Sequence, residues 1–294
     1  MNYHSYTKTP RTSSEDVLYL WDDRTLYYTN KRLSPSGLTT SADMLVAYFD
    51  GHTHLADVAN RCHSSRLLLI KAGHSLDFSK TNLQDNYSLA IIYLDPFRRD
   101  ADLLCKFMKP ISSRVFAYHC DENAIISSLK KITSGELNSQ QARTTLNKIV
   151  RAGGGQIQSH SPVDSRIVRA VELLKRKANQ NLTLEQLARA VHLSESRLCK
   201  LFKKEIGVPI RRYRMWHRLY ICSVAYATGY SLLDSALVAG FSSQSHYTTV
   251  FRKLLGMSPS EVLRRDNILK AVADELTLER FINPAASSTA LPLQ

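Results

Sequence analysis

The chain has 294 residues, which is long for one hydrophobic core, so two domains are the first expectation. Its net charge of +13 favours an acidic partner, either nucleic acid or an anionic membrane surface. No apolar run approaches the roughly 18 residues of a membrane-spanning helix, and the polar start lacks the apolar core of a signal peptide. These features predict a soluble, cytoplasmic protein that does not enter a membrane.

The five cysteines are far apart in the chain and never form a C-x-x-C pair. This spacing argues against a disulfide framework and against a zinc site. We expect reduced thiols that act as small core side chains.

The first half of the chain predicts a β-rich domain over residues 16–151, preceded by a disordered polar arm over residues 1–15. Three short apolar runs bounded by Gly, Asp or Pro predict buried strands, namely DMLVAYFDG, SRLLLIKAG and NYSLAIIYLD. Three helices are predicted after them, namely PFRRDADLLCKFMK with Pro96 in its first turn, DENAIISSLKKI and NSQQARTTLNKIV. The domain is therefore expected to be a β-rich body followed by a helical hairpin.

Five histidines of this domain raise the question of a metal site, namely His52, His54, His63, His74 and His119. On a strand, residues i and i+2 such as His52 and His54 face the same side. A carboxylate and a third histidine at regular spacing are not recognisable, so we predict no metal and no cofactor. No Ser/His/Asp order, paired carboxylates or glycine-rich phosphate loop is present either, which predicts a protein that is not an enzyme.

A linker is predicted at residues 152–163, where three glycines and a Ser-Pro step separate two helical patterns. Residues 164–265 beyond it carry 18 Lys and Arg against seven Asp and Glu, a net charge of +11. The basic character of the protein therefore belongs to this second domain.

The second domain contains an internal repeat, in which residues 183–209 align with residues 231–259. The alignment has an offset of 48 before the turn of the unit and 49 after it. Each unit begins with a predicted helix cap, TLEQ from Thr183 and SLLD from Ser231, followed by a short helix, a turn and a longer helix. Two helices joined by a tight turn form a helix-turn-helix, whose second helix fits a DNA major groove.

A helix is predicted between the two units, with the sequence PIRRYRMWHRLYICSVAYA. Tyr213, Trp216, Tyr220 and Val224 share one face, and Arg211, Arg212, Arg214 and Arg218 lie largely elsewhere. A rigid connector of this kind can hold two recognition helices roughly 34 Å apart, so that both reach successive major grooves.

The pattern LARAVHLSESRLCKLFKKEIGVPIRRY followed by SALVAGFSSQSHYTTVFRKLLGMSP resembles the AraC/XylS family of bacterial transcriptional regulators over about residues 165–265. The resemblance implies a seven-helix DNA-binding domain in a one-component regulator, commonly an activator that meets RNA polymerase at promoter DNA. Ser235, Tyr247 and Thr249 depart from the residues usual in the family. Thr249 stands at a position that is often basic in the family.

The resemblance, combined with the exposed faces of the two recognition helices, predicts the residues that touch DNA. Predicted base contacts are Ser196, Arg197, Cys199, Lys200, Gln244, Ser245, His246 and Thr249. Predicted phosphate contacts are Lys203, Lys204, Arg212, Arg252 and Lys253. Lysine can donate hydrogen bonds to guanine and glutamine can pair with adenine, whereas cysteine distinguishes bases poorly by hydrogen bonding.

The resemblance is thinner in the N-terminal half, which is similar to the cupin-like sensor domains of some family members. It implies a small-molecule effector and leaves the helices at 121–150 either for homodimerisation or for packing on their own barrel. Residues 266–294 predict one more amphipathic helix, through Leu269, Val272, Leu276 and Phe281, and a disordered tail.

The predicted fold class is α+β, a cupin-like β-rich sensor domain plus an all-α domain with two helix-turn-helix motifs joined by a linker helix. Two other classes of function remain open at this stage. One is a metal-dependent cupin-like enzyme fused to a helical domain, and the other is a basic architectural or membrane-surface protein without sequence preference. The duplicated helix-turn-helix argues against both.

Overall fold

The computed structural model describes residues 16–30, 38–51, 53–56, 62–76, 88–118, 122–151, 162–263 and 270–273. Its N-terminal part is built on a β-sheet and its C-terminal part is helical, as the sequence predicted. The predicted arm at residues 1–15, most of the linker and most of the tail lie outside the described residues.

Twelve strands are described. They are β1 (Val17–Leu20), β2 (Arg24–Thr29), β3 (Leu38–Thr39), β4 (Asp43–Tyr48), β5 (Thr53–Ala56), β6 (Cys62–Ser65), β7 (Leu67–Ile70), β8 (Ser75–Leu76), β9 (Leu89–Leu94), β10 (Met108–Pro110), β11 (Val115–Tyr118) and β12 (Lys270–Ala273). Eight of them form one sheet in the order β10-β11-β7-β4-β9-β2-β1-β12. The pairs β3–β8 and β5–β6 form two small sheets.

The three predicted strands are confirmed as β4, β7 and β9, which are adjacent in the middle of the sheet. All their described side chains are buried, which explains why they read as continuous apolar runs. Successive residues point to opposite faces, so Ile92 joins one hydrophobic cluster and Tyr93 joins another. The sheet is therefore covered on both sides.

Helices α2 (Glu122–Thr133) and α3 (Ser139–Arg151) confirm the predicted hairpin and cover one face of the sheet. The Tyr19 hydroxyl donates to the Ile132 carbonyl at 3.1 Å, and the Trp21 indole donates to the Ser139 hydroxyl at 3.0 Å. Their apolar faces are thus buried within the chain. Among the described residues, the exposed large hydrophobic side chains are Tyr230, Leu233 and Leu237, none of which lies on this hairpin.

The helix predicted over PFRRDADLLCKFMK is interrupted. A single 3₁₀ turn (Pro96–Arg98) is followed by α1 (Asp100–Cys105), and Met108–Pro110 is a strand. Arg99 between the two helical pieces has φ of 55°, a left-handed conformation that ends one helix and starts another. The prediction was wrong in extent because the apolar spacing gives no sign of this backbone reversal.

The described part of the C-terminal region contains seven helices. They are α4 (Ser165–Arg176), α5 (Leu184–Ala190), α6 (Glu195–Ile206), α7 (Ile210–Ala227), α8 (Leu232–Val238), α9 (Gln244–Leu255) and α10 (Pro259–Val262). Two helix-turn-helix units, α5–α6 and α8–α9, flank the connecting helix α7, in agreement with the sequence.

The region after α10 differs from the helix predicted through Leu269 and Val272. Residues Lys270–Ala273 form strand β12, which pairs in parallel with β1 at the edge of the large sheet. The rest of the predicted helix lies outside the described residues. The chain therefore returns from the helical region to the N-terminal sheet.

A buried carboxylate joins the sheet to the helical region. Asp95 follows β9, is 2% exposed, and accepts from the Tyr213 hydroxyl of α7 at 3.0 and 3.2 Å. Lys175 of α4 forms an ion pair with it, and the Phe97 backbone amide donates to it at 3.0 Å. Because a buried charge is costly unless it is paired and hydrogen-bonded, these contacts fix the two regions against each other.

Apolar packing continues this contact along α7. Tyr93 of the sheet and Trp216 of α7 have ring centroids 5.0 Å apart, and the sheet residues Leu18 and Leu20 belong to the same cluster as Leu219 and Tyr220. The connecting helix therefore packs against the sheet as well as between the two helix-turn-helix units.

His217 of α7 is buried beside this contact, and its ring lies 4.6 Å from that of Tyr213. Burial lowers the pKa of His217 to about 4, with Lys175 adding to the shift and Asp95 opposing it. An unfolded histidine has a pKa of about 6.5. The unfolded chain thus binds this proton more tightly, so stability is lost as the pH falls from about 6.5 towards 4.

We expect His217 to contribute a loss of about 2 kcal/mol in the free energy of unfolding between pH 7.5 and pH 5. Urea unfolding at both pH values measures it. The His217→Phe variant keeps a ring and removes the proton, so its pH dependence should be weaker by that amount. Equal pH dependences for the two proteins would contradict the assignment.

Candidate nucleic-acid interface

The first helix-turn-helix unit is built by caps at the start of both helices. Thr183 and Gln186 form the predicted capping box of α5, with the Thr183 hydroxyl accepting from the Gln186 amide at 3.1 Å. Ser194 caps α6 by accepting from the amide of Arg197. Leu187, Leu198 and Phe202 are fully buried between the helices. The polar face of α6 is therefore directed outwards.

The second unit repeats this construction. Ser231 caps α8 and Ser243 caps α9, by accepting from the amides of Asp234 and His246, each at 3.1 Å. Tyr247 and Phe251, predicted to lie on the apolar stripe, are buried and stack edge-on at 5.6 Å. Leu254 is also buried, whereas Val250 and Leu255 are half-buried.

The turns explain why the offset of the repeat increases by one. His192 in the first turn and Gly240 in the second both have positive φ, 54° and 84°, and the smaller offset relates them. The caps that follow, Ser194 and Ser243, are related by the larger offset. The extra residue therefore lies between the left-handed residue and the cap of the second unit.

Two contacts join α7 and the turn of the second unit to the loop after α4. A Cβ added to Gly240 would collide with the carbonyl group of Asn179, in the loop after α4. The guanidinium of Arg218 on α7 is buried and donates to the carbonyls of Ala178 at 2.8 Å and Gln180 at 3.1 Å. Arg218 is thus a clamp inside the domain, whereas the sequence placed it with the arginines off the apolar face.

The predicted contacts on α6 surround a groove of about 400 Å³. Ser196, Arg197, Lys200 and Lys204 line it, and Cys199 and Lys203 are exposed on the same helix. Arg166 of α4 also lines the groove and is paired with Asp164 at 2.7 Å. Sequence reasoning missed Arg166 because it lies outside the helix-turn-helix and reaches α6 only through the tertiary packing.

Two of the predicted contact residues on α9 are already hydrogen-bonded to neighbouring groups. Gln244 and Ser245 are exposed. His246 is half-buried, with its Nδ1 atom 3.1 Å from the Ser242 hydroxyl and its ring edge-on to Phe241. Thr249 is exposed, but its hydroxyl donates to the Ser245 carbonyl at 2.9 Å.

The remaining predicted phosphate contacts lie in two places. Arg252 and Lys253 are exposed in the last turn of α9, where cations also complement the helix dipole. Arg212 is half-buried in the first turn of α7 and belongs to neither recognition helix.

The histidines of the N-terminal domain were the candidates for a metal site. Within the described ranges, no group of three or more His, Cys, Asp or Glu side chains is arranged to hold a metal ion. His52 and His119 lie outside the described residues, as do the side chains of His54 and His63. No described helix is long and apolar enough to cross a membrane.

Comparison with known proteins agrees with the geometry of the two helix-turn-helix units. A family described as "Helix-turn-helix domain" matches residues 187–265. The arabinose operon regulatory protein of Escherichia coli (strain K12) is 31% identical over 106 residues, which are 35% of this chain and 36% of that protein. LumQ of Photobacterium leiognathi, a probable transcriptional regulator, is 24% identical over 196 residues, which are 65% of this chain and 76% of that protein. This chain thus matches only about a third of the arabinose regulator.

Among solved structures, ToxT from Vibrio cholerae O395 has a TM-score of 0.53 at 19% identity, covering 82% of this chain and 96% of that one. This likeness concerns the fold, a β-sheet domain joined to a helical domain. The fold and the exposed recognition helices define a protein with two helix-turn-helix units. The sequence matches are to a helix-turn-helix domain over residues 187–265 and to regulatory proteins that this chain resembles.

The contact at Gly240 generates a stability prediction. Gly240→Ala places a side chain at positive φ and against the Asn179 carbonyl, so we expect it to cost about 1–3 kcal/mol beyond the strain of the backbone. Gly229→Ala is the matched control, because Gly229 has φ of 99° and no atom within 4 Å of an added Cβ. Chemical denaturation of the two variants compares them, and equal losses would show that the Asn179 contact does not matter.

Proposed function

We propose that the protein is a sequence-specific DNA-binding transcriptional regulator, an activator controlled by a small-molecule effector that binds the N-terminal domain. The supporting observation is that α6 and α9 are capped alike, buried on one side and exposed on the other. Two such helices in one chain allow a single protein to read two successive turns of the major groove. It would act at promoter DNA in the bacterial cytoplasm.

The exposed side chains divide into two kinds of DNA contact. Arg197, Lys200 and Gln244, in the first half of each recognition helix, have donors suited to base edges in the major groove. Lys203, Lys204, Arg252 and Lys253 lie towards the helix ends and are suited to phosphate. The +11 charge of residues 164–265 supports electrostatic attraction to the DNA phosphates. Ser196, Cys199, Ser245 and Thr249 complete the proposed base-reading surface, with His246 restricted by its contact to Ser242.

The contacts between the sheet and the helical region support control by an effector. A change in the sheet would reach α4 and α7 through Asp95, and would reach α6 through the ion pair of Arg99 with Glu205 at 3.4 Å. Because packed interfaces switch between discrete arrangements, a ligand that favours one arrangement would change the affinity for DNA.

A small cavity of about 50 Å³ lies between the sheet and the helical region, lined by Leu20, Tyr27, Tyr93, Trp216 and Phe251 among others. Its walls are mainly apolar and come from both regions. One ToxT structure was solved with an unsaturated fatty acid bound, at a TM-score of 0.50 and 15% identity. An apolar effector would have to enlarge this cavity, which would move α7 against the sheet. Ligand-dependent change in thermal stability is the direct screen.

Promoter DNA is the proposed principal partner, with RNA polymerase as a second partner of an activator. Homodimerisation through residues 121–150 stays a prediction, and it would have to use the polar outer face of α2 and α3. Sedimentation of the full chain with and without DNA measures it.

The base contacts can be separated from the phosphate contacts by mutation. Gln244→Ala should cost about 1–3 kcal/mol at one base pair and relax the preference there. Arg252→Ala should weaken binding to all sequences nearly alike and reduce the salt slope by about 0.9. Fluorescence anisotropy on a panel of single-base operator variants measures both.

Lys109→Ala is the matched control, because Lys109 is an exposed cation on β10, outside the proposed dimer and DNA surfaces. It should leave affinity and salt slope unchanged. Equal losses on every sequence for Gln244→Ala would refute its assignment to a base. Equal affinity for random and selected duplexes in the unmodified protein would refute the proposed function.

A further inference from the structure

The two recognition helices can be compared residue by residue because the structure gives them the same register. Both are 12 residues long, begin after a serine cap, and end at a glycine in the left-handed conformation, Gly207 or Gly256. The larger offset of the repeat therefore relates all equivalent positions. Each side chain of α6 has one counterpart on α9 at the same position along the helix.

The first equivalent pair is Glu195 on α6 and Gln244 on α9, the first residue of each helix, and both are exposed. A carboxylate accepts only, and in the major groove it suits the amino group of cytosine. A primary amide both donates and accepts, and it suits adenine N6 and N7. The same position thus changes from chemistry for a G·C pair to chemistry for an A·T pair.

The second pair is Lys200 on α6 and Thr249 on α9, both exposed one turn further along. Lysine donates to guanine O6 and N7. Thr249 cannot replace it as a donor, because its hydroxyl proton is used by the Ser245 carbonyl. What Thr249 offers the groove is its methyl group, which suits the 5-methyl of thymine.

The third pair, Arg197 and His246, again places a side chain suited to guanine on α6 and none on α9. Arg197 is exposed on the groove of α6, and its guanidinium suits guanine. His246 is half-buried and held by Ser242. The first two turns of α9 therefore carry no Lys or Arg side chain.

We propose that the two helices read different base pairs, with α6 facing G·C pairs and α9 facing A·T pairs through Gln244 and the Thr249 methyl group. This inference rests on the proposed function and specifies the chemistry of its operator. The operator then has a G·C-containing half and an A·T-containing half about one helical turn apart.

The test begins with selection of bound duplexes from a random pool by the full chain. The double variant Gln244→Glu with Thr249→Lys, which gives α9 the α6 side chains at the first two of these positions, is put through the same selection. We expect one half-site to change from A·T to G·C while the other half-site is kept. The changed half-site is the one read by α9.

The methyl contact is tested by replacing each thymine of that half-site with uracil, which removes one methyl group and keeps base pairing. Affinity of the unmodified chain should fall about fourfold at one position, the value expected for one buried methyl-sized group. Thr249→Ser keeps the hydroxyl and lacks the methyl group, so it should bind the thymine and uracil duplexes equally. Thr228→Ser at the end of α7 is the control, because the Thr228 hydroxyl also donates to the carbonyl four residues earlier, that of Val224.

The outcomes separate this inference from the proposed function. If no sequence is enriched, the proposed function fails. If a sequence is enriched but the double variant selects the same bases, or Thr249→Ser still discriminates thymine from uracil, DNA recognition stands and the assignment of bases to α9 is wrong.

Discussion

Helix α7 is the constraint on which the rest of the structure depends, because it has to bury side chains on most of its circumference. Ten of its 18 residues are buried. Tyr213 packs into the core of the first helix-turn-helix unit, Ile221 and Val224 into that of the second, and Trp216 lies against the sheet. Because α7 is packed on three sides, it cannot rotate without disturbing all three contacts. The positions of the two recognition helices and of the sheet therefore depend on one another.

The buried polar groups around α7 are paired with partners that are distant in the sequence. Arg218 is bound to the backbone carbonyls of the loop after α4, and Asp95 is bound to Lys175 and Tyr213. Removing one partner of such a contact leaves a buried charge unsatisfied. The N-terminal domain thus has direct contacts with α4, α6 and α7, and its strand β3 also contacts α9.

Much of the proposed DNA-binding surface follows from the sequence itself. Alternation of apolar and polar residues at helical spacing determines which face of α6 and α9 is buried, and the serine caps with the following glycines determine where the helices begin and end. The repeat also predicted the second unit and the inserted residue near its turn. These features are local, and local hydrogen bonds and periodicity leave a direct trace in sequence.

What the sequence did not show lies where distant segments meet. Arg218 reads as one of four arginines on a basic helix, and its burial depends on the loop after α4, which is distant in the chain. Arg166 borders the groove of α6 only because α4 packs beside it, and Lys270–Ala273 became a strand because it pairs with β1. The apolar spacing through Leu269 and Val272 is equally compatible with a helix, since a short segment takes the conformation that its neighbours stabilise.

The sequence alone thus determined the two helix-turn-helix units, the strands at the centre of the sheet and the polar outer faces of α6 and α9, because each depends on residues within one or two turns of one another. The tertiary structure decided which of those polar groups remain free. The hydroxyl of Thr249 and the Nδ1 atom of His246 are occupied by neighbouring groups, and the Arg218 guanidinium is buried in the domain. Such occupation depends on distances and orientations, which residue types and spacing do not contain.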